Sequence, residues 1–404
     1  MSTTEQPGAQ QEVLDRYAHS LITVFGTPQL VLDRGEGAWV WDIDGKRYLD
    51  LVGGIAVNAL GHNHPALVAA VSKQVGEMAH ISNFYTSRVQ VELAERVLQI
   101  AQAPAGSGVF FANSGAEAVE AAIKLSRRTG RTGMVAAEGA FHGRTTGALA
   151  LTHKAAYREP FAPLIPDVSH VPYNDIEALR AAVTTDTAAV FLEPIQGEAG
   201  AIVADPAYLR AARELTTAAG ALLVIDEVQT GIGRTGDWFG FSASGIVPDA
   251  ITLAKGLGGG LPIGALVTFG PDVTGLLTAG QHGSTFGGNP LVAAAGLSVL
   301  STIADDGLLE HVSAMGEHLV AAVADLDHPD IEGVRGRGLL RAIVLRSDLS
   351  PGIAAAAREA GFLVNPVAPD ALRLVPPLVV TAAELDTFVT ALPALIATAK
   401  ETTP

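Results

Sequence analysis

Cysteine is absent from the 404 residues, so neither a disulfide nor a cysteine-ligated metal can contribute. Basic residues are outnumbered by acidic ones, 26 against 42. The net charge of −16 argues against nucleic acid or an anionic membrane as the main partner. It leaves room for an anionic substrate, because a few placed arginines outweigh distant charges that salt screens. No apolar run approaches the ~18 residues of a transmembrane helix. The N-terminal MSTTEQPGAQQEV lacks the basic start and apolar core of a signal peptide, and the first dozen residues read as disordered. A cytoplasmic protein is therefore expected. What remains is globular, with 48% hydrophobic and 17% charged residues. At this length one core rarely suffices, so two or more subdomains are expected.

The most informative stretch runs from Ala221 to Gly260. Its apolar run Ala221 to Ile225 reads as a buried parallel strand and stops at Asp226. A second run, from Ala250, stops at Lys255 and is followed by Gly256 and the Gly258-Gly259-Gly260 turn. Open α/β sheets bind ligands at the carboxyl ends of their strands, which is where both charges fall. Burial lowers a lysine's pKa and makes the amine nucleophilic, so Lys255 could form a Schiff base with a carbonyl. Asp226 could then hold the proton on a heteroaromatic nitrogen. The plainer reading of the pair is a lysine reaching solvent from a loop and an aspartate capping a helix.

Gly37 to Lys46 alternates apolar and polar residues into an Asp-Gly turn, as a hairpin does. Pro65 opens a helix carrying Leu67, Val68, Val71, Val75 and Met78 at helical spacing. His62 and His64 lack a third ligand at a recognisable spacing, so they read as a turn rather than a metal site. From Gly108 onward, strand-like runs alternate with helical patterns. The strands fall at 109–112, 134–137, 168–171, 188–192, 222–225, 250–253 and 265–269, with helices at 176–183 and 208–219 among them. That rhythm predicts a mostly parallel sheet covered on both faces. Beyond residue 300 a long helix, short strands near 339–345 and 372–375, and a last helix from Thr381 suggest a smaller α+β domain.

Asn113 to Glu117 follows a strand and opens a helix, with Ser114 and Glu117 at capping-box spacing. Gly115 and Ala116 leave the first N–H groups of that helix open to an anion, although most capped helices bind nothing. Gly231 to Gly236 fits G-x-G-x-x-G, yet it begins five residues after its strand and leads into Asp237-Trp238-Phe239-Gly240. No helix follows, so a nicotinamide or flavin site is rejected.

Six segments together, NSGAEA (113–118), FHGRT (141–145), EPIQGEAG (193–200), IDEVQTGIGRTG (225–236), LAKGLGGGLPIGA (253–265) and HGSTFGGNP (282–290), resemble the class III aminotransferases across nearly the whole chain. Within that family, Gly53 to Pro65 and His282 to Pro290 are most similar to acetylornithine aminotransferases. The resemblance implies pyridoxal-phosphate-dependent transferase fold type I, an α/β fold. A mostly parallel doubly wound sheet would form a large domain (61–300), with a smaller α+β domain (301–404) joined by an N-terminal segment (1–60). It also implies pyridoxal 5′-phosphate as cofactor. Lys255 would bond its aldehyde carbon, Asp226 would pair with its ring nitrogen, and Gln229 would reach its 3-oxygen. Phe141 would stack on the ring, and Ser114, Gly115 and Ala116 would hold the phosphate. Thr285 would reach the cofactor phosphate of a partner subunit, making the active unit a homodimer.

For substrate, the resemblance implies that Arg144 takes the distal carboxylate and Arg373 the α-carboxylate of 2-oxoglutarate. Glu198 would neutralise Arg373 while N-acetylornithine is bound. Leu372 and Leu374 flank Arg373, so it must point somewhere paired, and a buried structural ion pair with Glu198 is the alternative to a substrate site. Phe25 stands where many relatives carry a tyrosine, a change compatible with an N-acylated substrate. The shared motifs govern cofactor more than substrate length, so succinylornithine and 4-aminobutyrate aminotransferases share the resemblance.

Overall fold

The computed structural model describes residues 8–402. Its centre is a seven-stranded sheet in the spatial order Gly108–Ala112, Gly264–Thr268, Ala250–Leu253, Leu222–Asp226, Thr187–Leu192, Gly133–Ala137, Val168–Val171. All seven strands coincide, within a residue at either end, with the apolar runs in the sequence. Gly264–Thr268 alone runs antiparallel to its two neighbours. Thr187–Leu192 and Leu222–Asp226 are buried at every position, as strands covered on both faces must be. Alternation sends successive side chains to opposite cores. Leu222 and Val224 join Val119, Ile123 and Leu125 of helix Gly115–Arg127 on one face. Leu223 and Ile225 pack with Leu209 and Ala212 of helix Pro206–Ala219 on the other.

A second, antiparallel sheet follows the order Ile331–Arg337, Leu340–Leu345, Ala371–Leu374, Asn365–Ala368. Helices Leu308–Asp325 and Ser350–Glu359 pack against it, and Ala382–Thr402 packs against both helices. A third sheet joins the chain's two ends. The antiparallel strands Leu32–Glu36, Trp39–Asp42 and Arg47–Asp50 are extended by Phe362–Leu363, which lies parallel to Arg47–Asp50. The Trp39 indole N–H also donates to Glu384 at 2.7 Å.

Three sequence expectations change. Residues 1–7 lie outside the described residues, but Ala9–Ser20 is a helix rather than disordered chain. It buries no side chain, so no apolar stripe marked it in the sequence. Helix Pro65–Glu77 forms where expected, yet of its stripe only Leu67 is buried, and Val68, Val75 and the following Met78 stay exposed. Finally, Ala382–Thr402 is long and apolar enough to cross a membrane by length and composition. In the fold it buries Leu385, Phe388, Leu392, Leu395 and Ile396 at helical spacing, as a core helix does.

Candidate active site

Parallel strands deliver the site residues at their carboxyl ends. Ser114 follows Ala112, Phe141 follows Ala137, Glu193 follows Leu192, Asp226 closes its own strand, and Lys255 follows Leu253. Asp226 lies opposite Thr252 in the register of two neighbouring strands, and Lys255 comes three residues later. Both charges therefore line one cavity of about 460 Å³. They are not the loop lysine and helix cap of the plainer reading.

Asp226 is buried and heavily partnered. His142 Nδ1 lies 2.7 Å from its Oδ2, and the Thr252 hydroxyl and the Val228 N–H donate to its Oδ1 at 2.9 and 3.0 Å. Burial works against a charged His142, but the hydrogen bond and charge of Asp226, with Glu193 nearby, hold its pKa above the ordinary value. Lys255 takes a φ of +41°, the left-handed region that residues with a Cβ seldom occupy. Burial pulls its amine down to about 8, against the opposing pull of Glu198, Asp226 and Glu193. At neutral pH an appreciable fraction of the amine is thus free to attack a carbonyl.

Ser114 caps helix Gly115–Arg127, its hydroxyl accepting the Glu117 N–H at 3.2 Å. The reciprocal half of the capping box differs: Glu117 Oε2 accepts from the Asn113 N–H and side-chain amide, both at 2.8 Å. The first helical N–H groups are left to the cavity. Gly115 is needed there, since a Cβ would meet Val228 Cγ1 at 2.8 Å. Gly264 is needed beneath it, where a Cβ would fall 2.1 Å from the Ser114 carbonyl oxygen. Phe141 forms another wall, its N–H held by Glu193 Oε1 at 3.0 Å. Pyridoxal 5′-phosphate fits this donor set: an open helix N-terminus for the phosphate, a depressed-pKa amine for the aldehyde, and a buried carboxylate for the ring nitrogen.

A second cavity of about 580 Å³ shares Phe141 with the first and is lined by Glu198, Arg373, Asn365, Tyr157 and Lys154. Glu198 Oε1 accepts from Arg373 Nη1 at 2.5 Å, and Arg373 is 1% exposed. Burial would raise the Glu198 carboxyl, but Arg373 outweighs it and holds the carboxyl below its ordinary range. Gln229 lines the first cavity and accepts from Arg373 Nη1 at 3.2 Å, so it stands between the two. Gly197 makes room for it, since a Cβ there would fall 1.9 Å from Gln229 Oε1. Arg144 lines the first cavity with its guanidinium 3.5 Å over the Tyr157 ring.

Of the residues singled out in the sequence, Ser114, Gly115, Ala116, Phe141, Arg144, Asp226, Gln229 and Lys255 line the first cavity, and Glu198 and Arg373 the second. Thr285 is exposed and lines neither. Phe25 is 92% exposed and also lines neither. His62 pairs with Asp50 at 2.9 Å, and no metal cluster occurs among the described residues. Sequence reasoning missed His142, Thr252, Glu193 and Asn365. His142 and Glu193 sit inside quoted motifs, but nothing local says that they face Asp226 or the Phe141 N–H. Burial pushes the Glu193 carboxyl up to about 8, against the opposing pull of His142 and the Phe141 N–H.

The class III aminotransferase family model matches residues 24–396. Acetylornithine aminotransferase from Streptomyces coelicolor is 55% identical over 98% of each chain. Among solved structures, ornithine aminotransferase from Toxoplasma gondii aligns with a TM-score of 0.92 at 30% identity, covering 98% of this chain and 97% of that one. N-acetylornithine aminotransferase from Stenotrophomonas maltophilia aligns at 0.83 and 36% identity, covering 96% and 100%. A family model that matches most of the chain, and a relative more than half identical along nearly its whole length, show that the chain belongs to the class III aminotransferases.

Proposed function

We propose that this chain transfers the δ-amino group of N2-acetylornithine to 2-oxoglutarate, giving N-acetylglutamate 5-semialdehyde and glutamate, a step of arginine biosynthesis. One observation carries the reading beyond cofactor chemistry. A buried arginine is neutralised by a glutamate that sits on a loop, beside the reactive lysine. Such a pair lets one site serve two substrates. Closed, it presents little net charge to an acylated amine. Open, it offers a bidentate fork to a dicarboxylate.

Pyridoxal phosphate supplies an electrophilic aldehyde and an aromatic electron sink. Ser114, Gly115 and Ala116 would hold its phosphate, Phe141 would pack on its ring, Gln229 would reach its 3-oxygen, and Asp226 would face its ring nitrogen. Lys255 would hold the group through its aldehyde carbon, with loss of water. Its amine would then serve as general base and acid, moving the proton from the δ-carbon of the amino donor to the former aldehyde carbon in the first half-reaction and from there to the α-carbon of the 2-oxo acid in the second. Acid–base work of this kind is commonly worth ~10²–10⁴-fold. Arg144 holds the distal carboxylate of the donor, and later the γ-carboxylate of glutamate. Arg373, released by Glu198, receives the α-carboxylate of 2-oxoglutarate.

The working unit in this reading is a homodimer, in which Thr285 completes the partner's phosphate site. Support comes from Thr285 lying outside its own cavity and from exposed apolar residues nearby, Phe84 and Phe286 at 92% and 59%. The absence of cysteine fits a reducing cytoplasm. In this reading the chain divides into an N-terminal segment, a large domain and a C-terminal domain. The reading puts the second boundary near residue 300, within helix Pro290–Asp305. Steady-state assays with N-acetylornithine, N-succinylornithine, ornithine and 4-aminobutyrate test the substrate: kcat/KM should be highest for N-acetylornithine. A higher value for any of the others would overturn that choice.

A further inference from the structure

Arg373 must do two things in turn: stay neutralised, then bind an anion without losing its orientation. Glu198 accounts for the first. The second needs a partner that remains when Glu198 leaves. On the strand beside it, Asn365 stands directly opposite Arg373 in the antiparallel register, and Ala342 stands opposite on the other side. Residues directly paired in this way share a face, with Cβ atoms roughly 5 Å apart. The small Ala342 cannot grip the guanidinium. Asn365 does, its Oδ1 accepting from Arg373 Nη2 at 2.8 Å.

The donors of the fork can be followed one by one. Nη1 serves Glu198 and Gln229, Nη2 serves Asn365, and the buried Nε–H has no partner among the described residues. A buried, unpaired donor on a cation is costly and marks an edge built for an incoming acceptor. When Glu198 withdraws, Gln229 and Asn365 still hold one bond to each terminal nitrogen. Two neutral amides fix the plane of the fork while leaving its full positive charge. Asn365 is carried by a sheet strand and Glu198 by a loop, so the first is the fixed partner and the second the one free to swing.

We propose that Asn365 is a positioning residue for the 2-oxo acid half-reaction, holding the Arg373 fork in register without cancelling its charge after Glu198 has let go. This rests on the reading that Arg373 receives the α-carboxylate. A carboxylate at position 365 would reverse the design, leaving the arginine neutralised whether or not Glu198 moves.

The test separates the two half-reactions of the holoenzyme by stopped-flow absorbance. Asn365→Asp, nearly isosteric, should raise the apparent Kd for 2-oxoglutarate by about 30-fold or more, and that for N-acetylornithine far less. Asn365→Ala should raise the 2-oxoglutarate value about tenfold, as loss of one charge-assisted bond does. Removing Glu198 in the Asn365→Asp background should fail to restore 2-oxoglutarate binding, because the second carboxylate now does the neutralising. Equal weakening of both half-reactions, or no change in either, would overturn the proposal. Glutamate run in reverse probes Asn365 independently of the amino donor. If wild-type enzyme ignores N-acetylornithine but the glutamate step responds to Asn365→Asp, the substrate assignment fails and the role of Asn365 stands.

Discussion

The two cavities differ in how they hold charge. In the first, the Asp226 carboxylate is pinned by three donors from three different parts of the chain, and each sits on or beside a strand of the central sheet. In the second, the Arg373 cation is balanced mainly by one carboxylate on a loop. The first arrangement suits a cofactor that stays; the second suits substrates that alternate. On the proposed reading, the contrast puts reaction type in the first cavity and the alternation between amino donor and 2-oxo acid at Arg373 in the second.

The largest expected effect lies in the pinned cavity. Lys255→Ala should lower kcat by at least ~10⁴-fold in the coupled transamination assay and abolish the near-visible absorbance of the bound cofactor. Near-normal turnover would refute the assignment. Asp226→Asn should cost roughly 10²–10³-fold in kcat with the melting temperature little changed, since it removes a charge and keeps the shape. In the second cavity the effect should shift from kcat to KM. Arg373→Lys gives up the planar fork, so KM for 2-oxoglutarate should rise about 10–100-fold while the amino-donor half-reaction is largely spared. If kcat fell for both substrates alike, the proposed division between the cavities would be wrong.

Two smaller effects sharpen the comparison. Capture of pyridoxal phosphate by the apoprotein needs the free amine of Lys255. Its second-order rate should therefore climb with pH and level off above about 8, where the lowered pKa lies. The stability sign agrees. A folded-state pKa below the unfolded lysine value of about 10.4 means that the unfolded chain binds more protons between those limits. Stability of the apoprotein should thus gain from this group as pH rises through that window. Ser114→Ala should cost about 1 kcal/mol by calorimetry through loss of the N-cap, and should weaken cofactor retention as well.

Much of this was legible in the sequence for identifiable reasons. Strands buried on both faces read as unbroken apolar runs, so the inner members of the central sheet stood out, whereas the edge strand Val168–Val171 carries Ser169 and His170 and is only partly buried. Their carboxyl ends located Asp226 and Lys255. Ile331–Arg337 was not seen because Glu332, Arg335 and Arg337 interrupt it, and it is only partly buried beyond its first residue. Ala9–Ser20 was missed because it packs no apolar face. His142 lies 84 residues from Asp226 in the chain, and Asn365 meets Arg373 across a strand register. Neither distance is a periodicity, so pattern reading had nothing to count. The exposed Val68, Val75 and Met78 show the converse: a helical stripe gives spacing but does not say how much of it is buried.

Everything converges on the Lys255 amine, and it can be found chemically. Reducing purified holoenzyme with borohydride, then mapping the digested peptides by mass spectrometry, should place a single pyridoxyl adduct on Lys255. An adduct on another lysine, or none in active enzyme, would contradict the site and the chemistry built on it.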